Sequence, residues 1–142
     1  MAVIEELIRK ESNGTISFGN YALSEKSKVS DFEHAGDLYK VKTFKEITKL
    51  EKNGLFVYES VPGTAVFNFA LKEDEINFEV EGEKMARVTL ELEAEEDYEI
   101  FKDGESLGNA RTNIGGKLVF SLELGEDKPI FIKVVKKQDG EK

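Results

Sequence analysis

Residues 75–92 read EINFEVEGEKMARVTLEL, and apolar side chains occupy alternate positions on both sides of a central polar, glycine-containing segment. An alternation with a period of two is typical of strands that bury one face and expose the other. The stretch therefore predicts two neighbouring β-strands separated by a turn. The alternating apolar residues are Ile76, Phe78, Val80, Val88, Leu90 and Leu92.

The same alternation continues to the end of the chain. From Thr64 onward the pattern predicts about seven short strands, with a turn signal roughly every ten residues. Such spacing is typical of an antiparallel sandwich. The predicted fold class is therefore mainly β: an antiparallel β-sandwich, immunoglobulin-like in its C-terminal part, with a short N-terminal helix and β-hairpins.

The N-terminal segment follows a helical period instead. Its apolar residues recur at i, i+1, i+4 and i+5, which predicts a helix with one buried face over residues 2–11. Because helix nucleation is costly, so short a helix is marginal alone, and we expect it to dock on the sheets or on a partner. The candidate interface residues are Val3, Ile4, Leu7 and Ile8.

The rest of the N-terminal half is predicted as turns and extended segments. Gly19-Asn20 predicts a two-residue hairpin turn, residues 24–36 are polar and irregular, and residues 37–44 indicate a strand. Residues 45–52 fit either a helical turn or a bulged strand leading to Asn53-Gly54. The strand is favoured because strand-like apolar residues lie on both sides.

The predicted domain organisation has three parts. Residues 1–63 form the helix and hairpins, residues 64–137 form the sandwich, and residues 138–142 form a polar tail. One continuous domain over residues 1–137 is the alternative.

Composition limits the function. The 142 residues include no cysteine, which excludes disulfides, thiolate nucleophiles and zinc–thiolate sites. The net charge of −9 disfavours binding to nucleic acid and to anionic membranes. No apolar stretch is long enough to span a membrane, and the N-terminus does not resemble a secretory signal. We therefore expect a cytoplasmic protein that binds neither nucleic acid nor membrane.

One local basic stretch interrupts the acidic sequence. Lysines at a spacing of two are what the solvated face of a strand looks like, and this is the interpretation we favour. The stretch contains Lys40, Lys42, Lys45, Lys49 and Lys52.

The single histidine, His34, lies between Asp31 and Asp37. An imidazole beside carboxylates could bind a metal or transfer protons. A polar loop that happens to contain a histidine is the favoured interpretation, because no metal-binding motif accompanies it. The sequence also lacks a nucleophile elbow and a phosphate loop. It therefore predicts no catalytic residue, metal ligand or cofactor, and it leaves Asp31, His34 and Asp37 as candidate ligand contacts.

Two phenylalanines suggest a different kind of site. Phe101 and Phe131 are out of phase with the apolar faces of their strands, so we expect them on an outer surface. Exposed aromatic rings are where lectin-like sites stack sugar rings. Packing under a second layer would explain both residues equally well.

Three segments carry a family resemblance: GTISFGNY at 14–21, GDLYKVKTF at 36–44 and YESVPGTAV at 58–66. They resemble a small family in clostridial and related Firmicutes genomes that often carries the automatic label "endosialidase". Sialidases have Ser-x-Asp-x-Gly-x-Thr-Trp boxes and an arginine triad, whereas this chain has no tryptophan and only three arginines. Residues 98–118 are similar to immunoglobulin-like accessory modules, which imply a fold rather than a function.

Three functions follow as expectations. The first is a non-catalytic structural or interaction module that self-associates as a homo-oligomer. The alternative is a module that binds carbohydrate or another small molecule. The remote alternative is a sialidase-like glycoside hydrolase built around His34 and nearby acids.

Overall fold

A computed structural model describes residues 3–125 and 128–137 of the chain. Within these ranges the chain forms thirteen β-strands and no α-helix. The strands are β1 (Ile8–Lys10), β2 (Ile16–Phe18), β3 (Ser27–His34), β4 (Asp37–Phe44), β5 (Ile47–Lys52), β6 (Leu55–Val61), β7 (Ala65–Leu71), β8 (Glu75–Glu81), β9 (Ala86–Glu91), β10 (Asp97–Lys102), β11 (Glu105–Arg111), β12 (Lys117–Leu122) and β13 (Ile130–Lys136).

The strands form two antiparallel sheets that pack face to face. The seven-stranded sheet has the order β1-β2-β7-β8-β13-β10-β11, and the six-stranded sheet has the order β12-β9-β6-β5-β4-β3. Tyr58 of the six-stranded sheet meets Phe18 and Phe78 of the other in edge-to-face contacts, with ring centroids 5.4 and 5.7 Å apart. The predicted β-sandwich is therefore confirmed. Each sheet combines strands from before and after residue 63.

The predicted N-terminal helix is wrong. Residues 5 and 6 form a turn, and Leu7 has a φ of +73°, which lies outside the right-handed helical region. Ile4 and Ile8 are both buried in the core, one before the turn and one after it. Two buried residues four positions apart therefore imitated a helical stripe. Ala2, where the helix was predicted to begin, lies outside the described residues.

Two other N-terminal predictions are also wrong. Gly19-Asn20 does not join a hairpin, because β2 pairs with β1 and β7. Residues 24–36 are not irregular, because β3 spans most of them. A bulge between Val29 and Phe32, with Asp31 at a φ of +56°, interrupts the alternation in β3 and hides its period of two.

The remaining strand predictions are confirmed. β4 occupies residues 37–44, and β5 is a strand that ends at the turn Asn53-Gly54, where both residues have positive φ. Seven strands, β7 to β13, follow Thr64. The predicted polar tail at 138–142 lies outside the described residues.

A cluster of five fully buried hydroxyls lies between the sheets, and we call it the hydroxyl cluster. Its hydrogen bonds include Tyr58 Oη to Thr64 Oγ1 and Ser60 Oγ to Thr64 Oγ1, both 2.8 Å. Thr48 Oγ1 also donates to the Thr64 carbonyl at 2.8 Å, which fixes the segment that follows β6. The members are Thr43, Thr48, Tyr58, Ser60 and Thr64.

Candidate functional site

The outer face of the seven-stranded sheet carries phenylalanines that the core does not use. Glu79 of β8 lies directly opposite Phe67 of β7 on one side and Phe131 of β13 on the other. Phe131 is 42% exposed, and Phe67 is half-buried. A carboxylate therefore lies between two aromatic side chains on one solvent-facing surface.

Phe101 extends this surface onto the next strand. It lies opposite Lys133 of β13, two residues from Phe131 and on the same face of the sheet. Residues in this diagonal relation across antiparallel strands have Cα atoms roughly 7–8 Å apart. We call Phe67, Phe101 and Phe131 the aromatic strip.

Polar side chains are interleaved with the aromatic strip. Lys133 lies opposite Asn77 of β8, which is two residues from Glu79 and on the same face. Asn68 Nδ2 donates to Glu79 Oε2 at 3.3 Å, so the carboxylate is held from one side. The face therefore offers apolar rings together with an anionic acceptor, an amide and an ammonium donor.

The backbone of Phe131 is anchored. Its N–H donates to Asp103 Oδ1 at 2.9 Å, and its carbonyl accepts from the Asp103 N–H at 2.8 Å. These bonds tie the exposed end of β13 to the turn after β10. The most exposed ring of the aromatic strip is therefore mounted on a fixed backbone.

The structure places Phe101 and Phe131 on the predicted outer surface, but sequence reasoning missed Phe67. In a strand without a bulge, Phe67 and Phe69 would lie on the same face. A bulge with Asn68 at a φ of +55° turns Phe67 outward while Phe69 enters the core. A single asparagine inside an apolar strand was the available signal, since asparagine tolerates positive φ.

His34 and Asp37 are brought together, at the two ends of the β3–β4 hairpin turn. They line a cavity of about 280 Å³ with Tyr39, Lys52 and Lys72 among the other lining residues. His34 Nε2 lies 3.0 Å from the Gly14 carbonyl oxygen.

The Asp37 carboxylate contacts the last residue of β5 and the turn that follows it. Asn53 Nδ2 donates to it at 2.8 Å, and Lys52 Nζ lies 3.5 Å away. The Asn53 hydrogen bond and the nearby Lys52 and His34 charges hold the pKa of Asp37 below its usual value. The Asp37 carboxylate therefore links the start of β4 to the end of β5. Because it is ionised, it is a poor proton donor.

Asp31 does not join this pair. It lies in the β3 bulge and lines a separate depression of about 220 Å³ with Lys40, Glu51 and Asn53 among its neighbours. The three polar candidates from the sequence therefore do not form one site. No cluster of three or more potential metal ligands occurs among residues 3–125 and 128–137.

The candidate interface residues are distributed differently from the prediction. Ile4 and Ile8 are buried within the chain's own core, and Val3 and Leu7 are half-buried. Residues 3–11 form no helix, so there is no short helix that must dock on the sheets or on a partner. The interface assignment stays a prediction without that support.

A further cavity, of about 450 Å³, was not predicted from the sequence. Its lining includes Tyr21 from the β2–β3 connection, Lys45 and Glu46 from the β4–β5 turn, and Glu83 and Lys84 from the β8–β9 turn. These segments are distant in sequence and meet only through the sheet topology. The lining carries two lysines and two glutamates, so its charge favours neither an anion nor a cation.

The three arginines do not converge. Arg9 lies on β1 and Arg111 on β11, at opposite edges of the seven-stranded sheet, whereas Arg87 lies on β9 in the other sheet. Arg9 pairs with Glu11 at 2.9 Å, and Arg111 pairs with Asp97 at 3.2 Å. An arginine triad of the sialidase type is therefore not assembled.

The outer face of the six-stranded sheet has a contrasting chemistry. Lys28, Lys42 and Lys49 lie directly opposite one another on β3, β4 and β5. We call these three residues the lysine row. Lys49 approaches Glu51 at 3.6 Å, whereas Lys28 and Lys42 make no ion pair with any described residue. The predicted solvated strand face is thus present at Lys40, Lys42 and Lys49, and β3 adds Lys28.

Comparison of the chain with protein-family models, curated proteins and solved structures finds no match in any of the three. Among the described residues, no helix is long and apolar enough to cross a membrane.

Proposed function

We propose that the protein is a non-catalytic binding module that takes a saccharide on the aromatic strip. The observation that carries this proposal is Glu79, which lies between Phe67 and Phe131 on the outer face of the seven-stranded sheet. An exposed aromatic platform beside a hydrogen-bonding carboxylate suits a ligand with one apolar face and a polar rim.

A pyranose ring has these two properties. Its C–H face packs on a phenyl ring, and its hydroxyls donate to a carboxylate and accept from an ammonium or amide group. The carboxylate is supplied by Glu79, which lies opposite Phe131. The ammonium group is supplied by Lys133, opposite Phe101, and the amide by Asn77 on the other side of Lys133. Because the surface is a sheet face rather than a deep cavity, we expect weak binding that increases with the number of sugar units.

The experiment is calorimetric titration with soluble gluco-, xylo- and chito-oligosaccharides of increasing length. We expect at least one series to bind, and the Phe131→Ala variant to lose that binding. Val119→Ala is the matched control, because Val119 is 52% exposed on the other sheet's outer face. Equal affinity in both variants, or no binding by any series, would refute the proposal.

Three further expectations stay proposals. The immunoglobulin-like character of the C-terminal part and the cytoplasmic location rest on the sequence alone. Self-association no longer follows from an N-terminal helix, because residues 3–11 form none, and the surface that supports it is the edge strand β12.

A further inference from the structure

The four edge strands of the two sheets differ in how they resist pairing with another chain. β1 is only three residues long, β3 is bulged and carries Lys28, and β11 is polar, exposed and irregular opposite Ile100 and Phe101. Short length, bulges and lysines are the usual devices that protect a sheet edge. The fourth edge, β12, carries a lysine only at its first residue, Lys117, and has none of these devices from residue 118 to residue 122.

β12 is a regular and apolar edge. Its six residues pair with β9 in unbroken register, and no other described strand pairs with it. Leu118 and Leu122 are buried, Phe120 is half-buried against the core, and Val119 is 52% exposed. Such a strand presents unpaired backbone groups next to an apolar surface.

The register identifies which backbone groups of β12 have no partner among the described residues. Leu92 N–H donates to the Gly116 carbonyl, so the pair of residues 116 and 92 is hydrogen-bonded. Hydrogen-bonded pairs alternate along an antiparallel ladder, which directs the groups of Leu118, Phe120 and Leu122 toward β9. The N–H and C=O groups of Val119 and Ser121 therefore point away from the sheet. Those of Lys117 also point away, but Asn113 already occupies them.

We propose that a second copy of this chain pairs its own β12 antiparallel to this edge, centred on Phe120. Val119 then lies opposite Ser121 of the second copy, so that residues with free backbone groups exchange both N–H···O bonds. The two six-stranded sheets become one continuous sheet across a two-fold axis. This inference does not rest on saccharide binding, which uses the other sheet.

Charge and burial favour this register. Paired residues must point to the same face, so residues 118, 120 and 122 of both copies align on the buried side. On the solvent side, Lys117 lies opposite the exposed Glu123 of the second copy at each end. Lys117 already contacts Glu91 at 2.6 Å, and the second carboxylate joins that ion pair. A two-fold interface repeats each favourable pair, which makes the edge complementary to itself.

The first test is absolute mass by light scattering across a wide range of protein concentration. We expect a concentration-dependent dimer, and we expect Val119→Lys to raise its dissociation constant about tenfold or more, because it puts charges at the joined edge. Leu107→Lys is the matched control, since Leu107 is 53% exposed on the edge strand β11. A monomer at all concentrations overturns the proposal, as does a dimer that both variants weaken equally.

The second test reads the register. The natural chain has no cysteine, so Val119→Cys and Ser121→Cys each carry a single thiol. A mixture of the two variants should form the mixed disulfide faster than either variant forms its own, because residue 119 lies opposite residue 121 of the second copy and neither residue lies opposite its own counterpart. Disulfides require Cα atoms roughly 4.4–6.8 Å apart. Preferential linkage of Val119→Cys to itself would overturn the register. Melting temperatures of the reduced variants establish that they remain folded.

Discussion

The hydroxyl cluster and the aromatic strip depart in opposite directions from the rule that apolar side chains lie inside and polar ones outside. In the hydroxyl cluster, polar groups lie in the interior and each finds a partner in the fold. In the aromatic strip, phenylalanines lie on the outside, where the core does not need them. The buried hydroxyls all have a structural role as hydrogen-bond partners, whereas the phenylalanines of the outer face have none in the core.

In a fold of this kind, the contrast points to the outer face as the place to look for function. Within residues 3–125 and 128–137, every fully buried side-chain nitrogen and oxygen has a hydrogen-bond partner. Substitutions around the hydroxyl cluster should therefore cost stability, and substitutions on the aromatic strip should cost binding.

The largest effect is expected at Gly63, beside the hydroxyl cluster. A Cβ on this residue would lie 2.1 Å from the Phe44 carbonyl oxygen, a backbone atom that cannot move aside without disturbing β4. Gly63→Ala should destabilise the protein by about 3 kcal/mol or more, as severe overpacking does. Denaturant unfolding followed by circular dichroism measures the loss.

Gly115→Ala is the matched control for Gly63→Ala. Neither glycine has a positive φ in the left-handed region, and the nearest atom to a Gly115 Cβ is Asn113 Oδ1 at an ordinary 3.5 Å. We expect this variant to change stability by less than about 0.5 kcal/mol. Equal losses in the two variants would show that the close approach at Gly63 is not what limits the site.

The next effect is expected at the Tyr58 hydroxyl. Tyr58→Phe removes the hydrogen bond to Thr64 at the centre of the hydroxyl cluster and should cost about 1–2 kcal/mol. Tyr39→Phe is the control, because the Tyr39 hydroxyl makes no hydrogen bond to a described residue while the ring is also buried. A larger loss in the control, measured by the same unfolding experiment, would contradict the assigned role of the cluster.

Unfolding at alkaline pH tests the same Tyr58 hydroxyl through its ionisation. Burial raises the pKa of Tyr58 from 10.0 to about 12. The folded state therefore keeps this proton more tightly than the unfolded state, and the stability linked to it is lost as pH rises from about 10 to about 12. Unfolding free energies across this window should fall less steeply in Tyr58→Phe. Parallel curves for the two proteins would contradict the raised pKa.

The smallest effect is expected in the lysine row. Like charges directly opposite on neighbouring strands destabilise a sheet, and opposite charges stabilise it. Lys42→Glu places an acid between Lys28 and Lys49 and should raise stability by about 0.3–1 kcal/mol at low salt. The gain should shrink at high salt because screening weakens exposed pairs. A loss of stability would indicate that Lys42 has a favourable partner in the folded protein.

The sequence predicted the regular strands because one face of each is buried and the other solvated. The predictions from alternation failed at Leu7, Asp31 and Asn68, each of which has a positive φ. A turn or bulge at such a residue changes which face the next side chain occupies, and alternation alone cannot anticipate that change. The outward positions of Phe101 and Phe131 were predictable from phase, whereas the outward position of Phe67 depended on the Asn68 bulge. The cavity beside Tyr21 depends on contacts between distant turns, which no local pattern encodes.

Nuclear magnetic resonance maps the ligand-binding surface residue by residue when isotope-labelled protein is titrated with the oligosaccharide series. We predict that the largest amide shifts occur at Phe67, Glu79, Phe101, Phe131 and Lys133. The lysine row on the other sheet should stay unperturbed. Shifts confined to the cavity around Tyr21 and Lys45, or no shifts with any series at millimolar concentration, would contradict the assignment of the aromatic strip as the binding site.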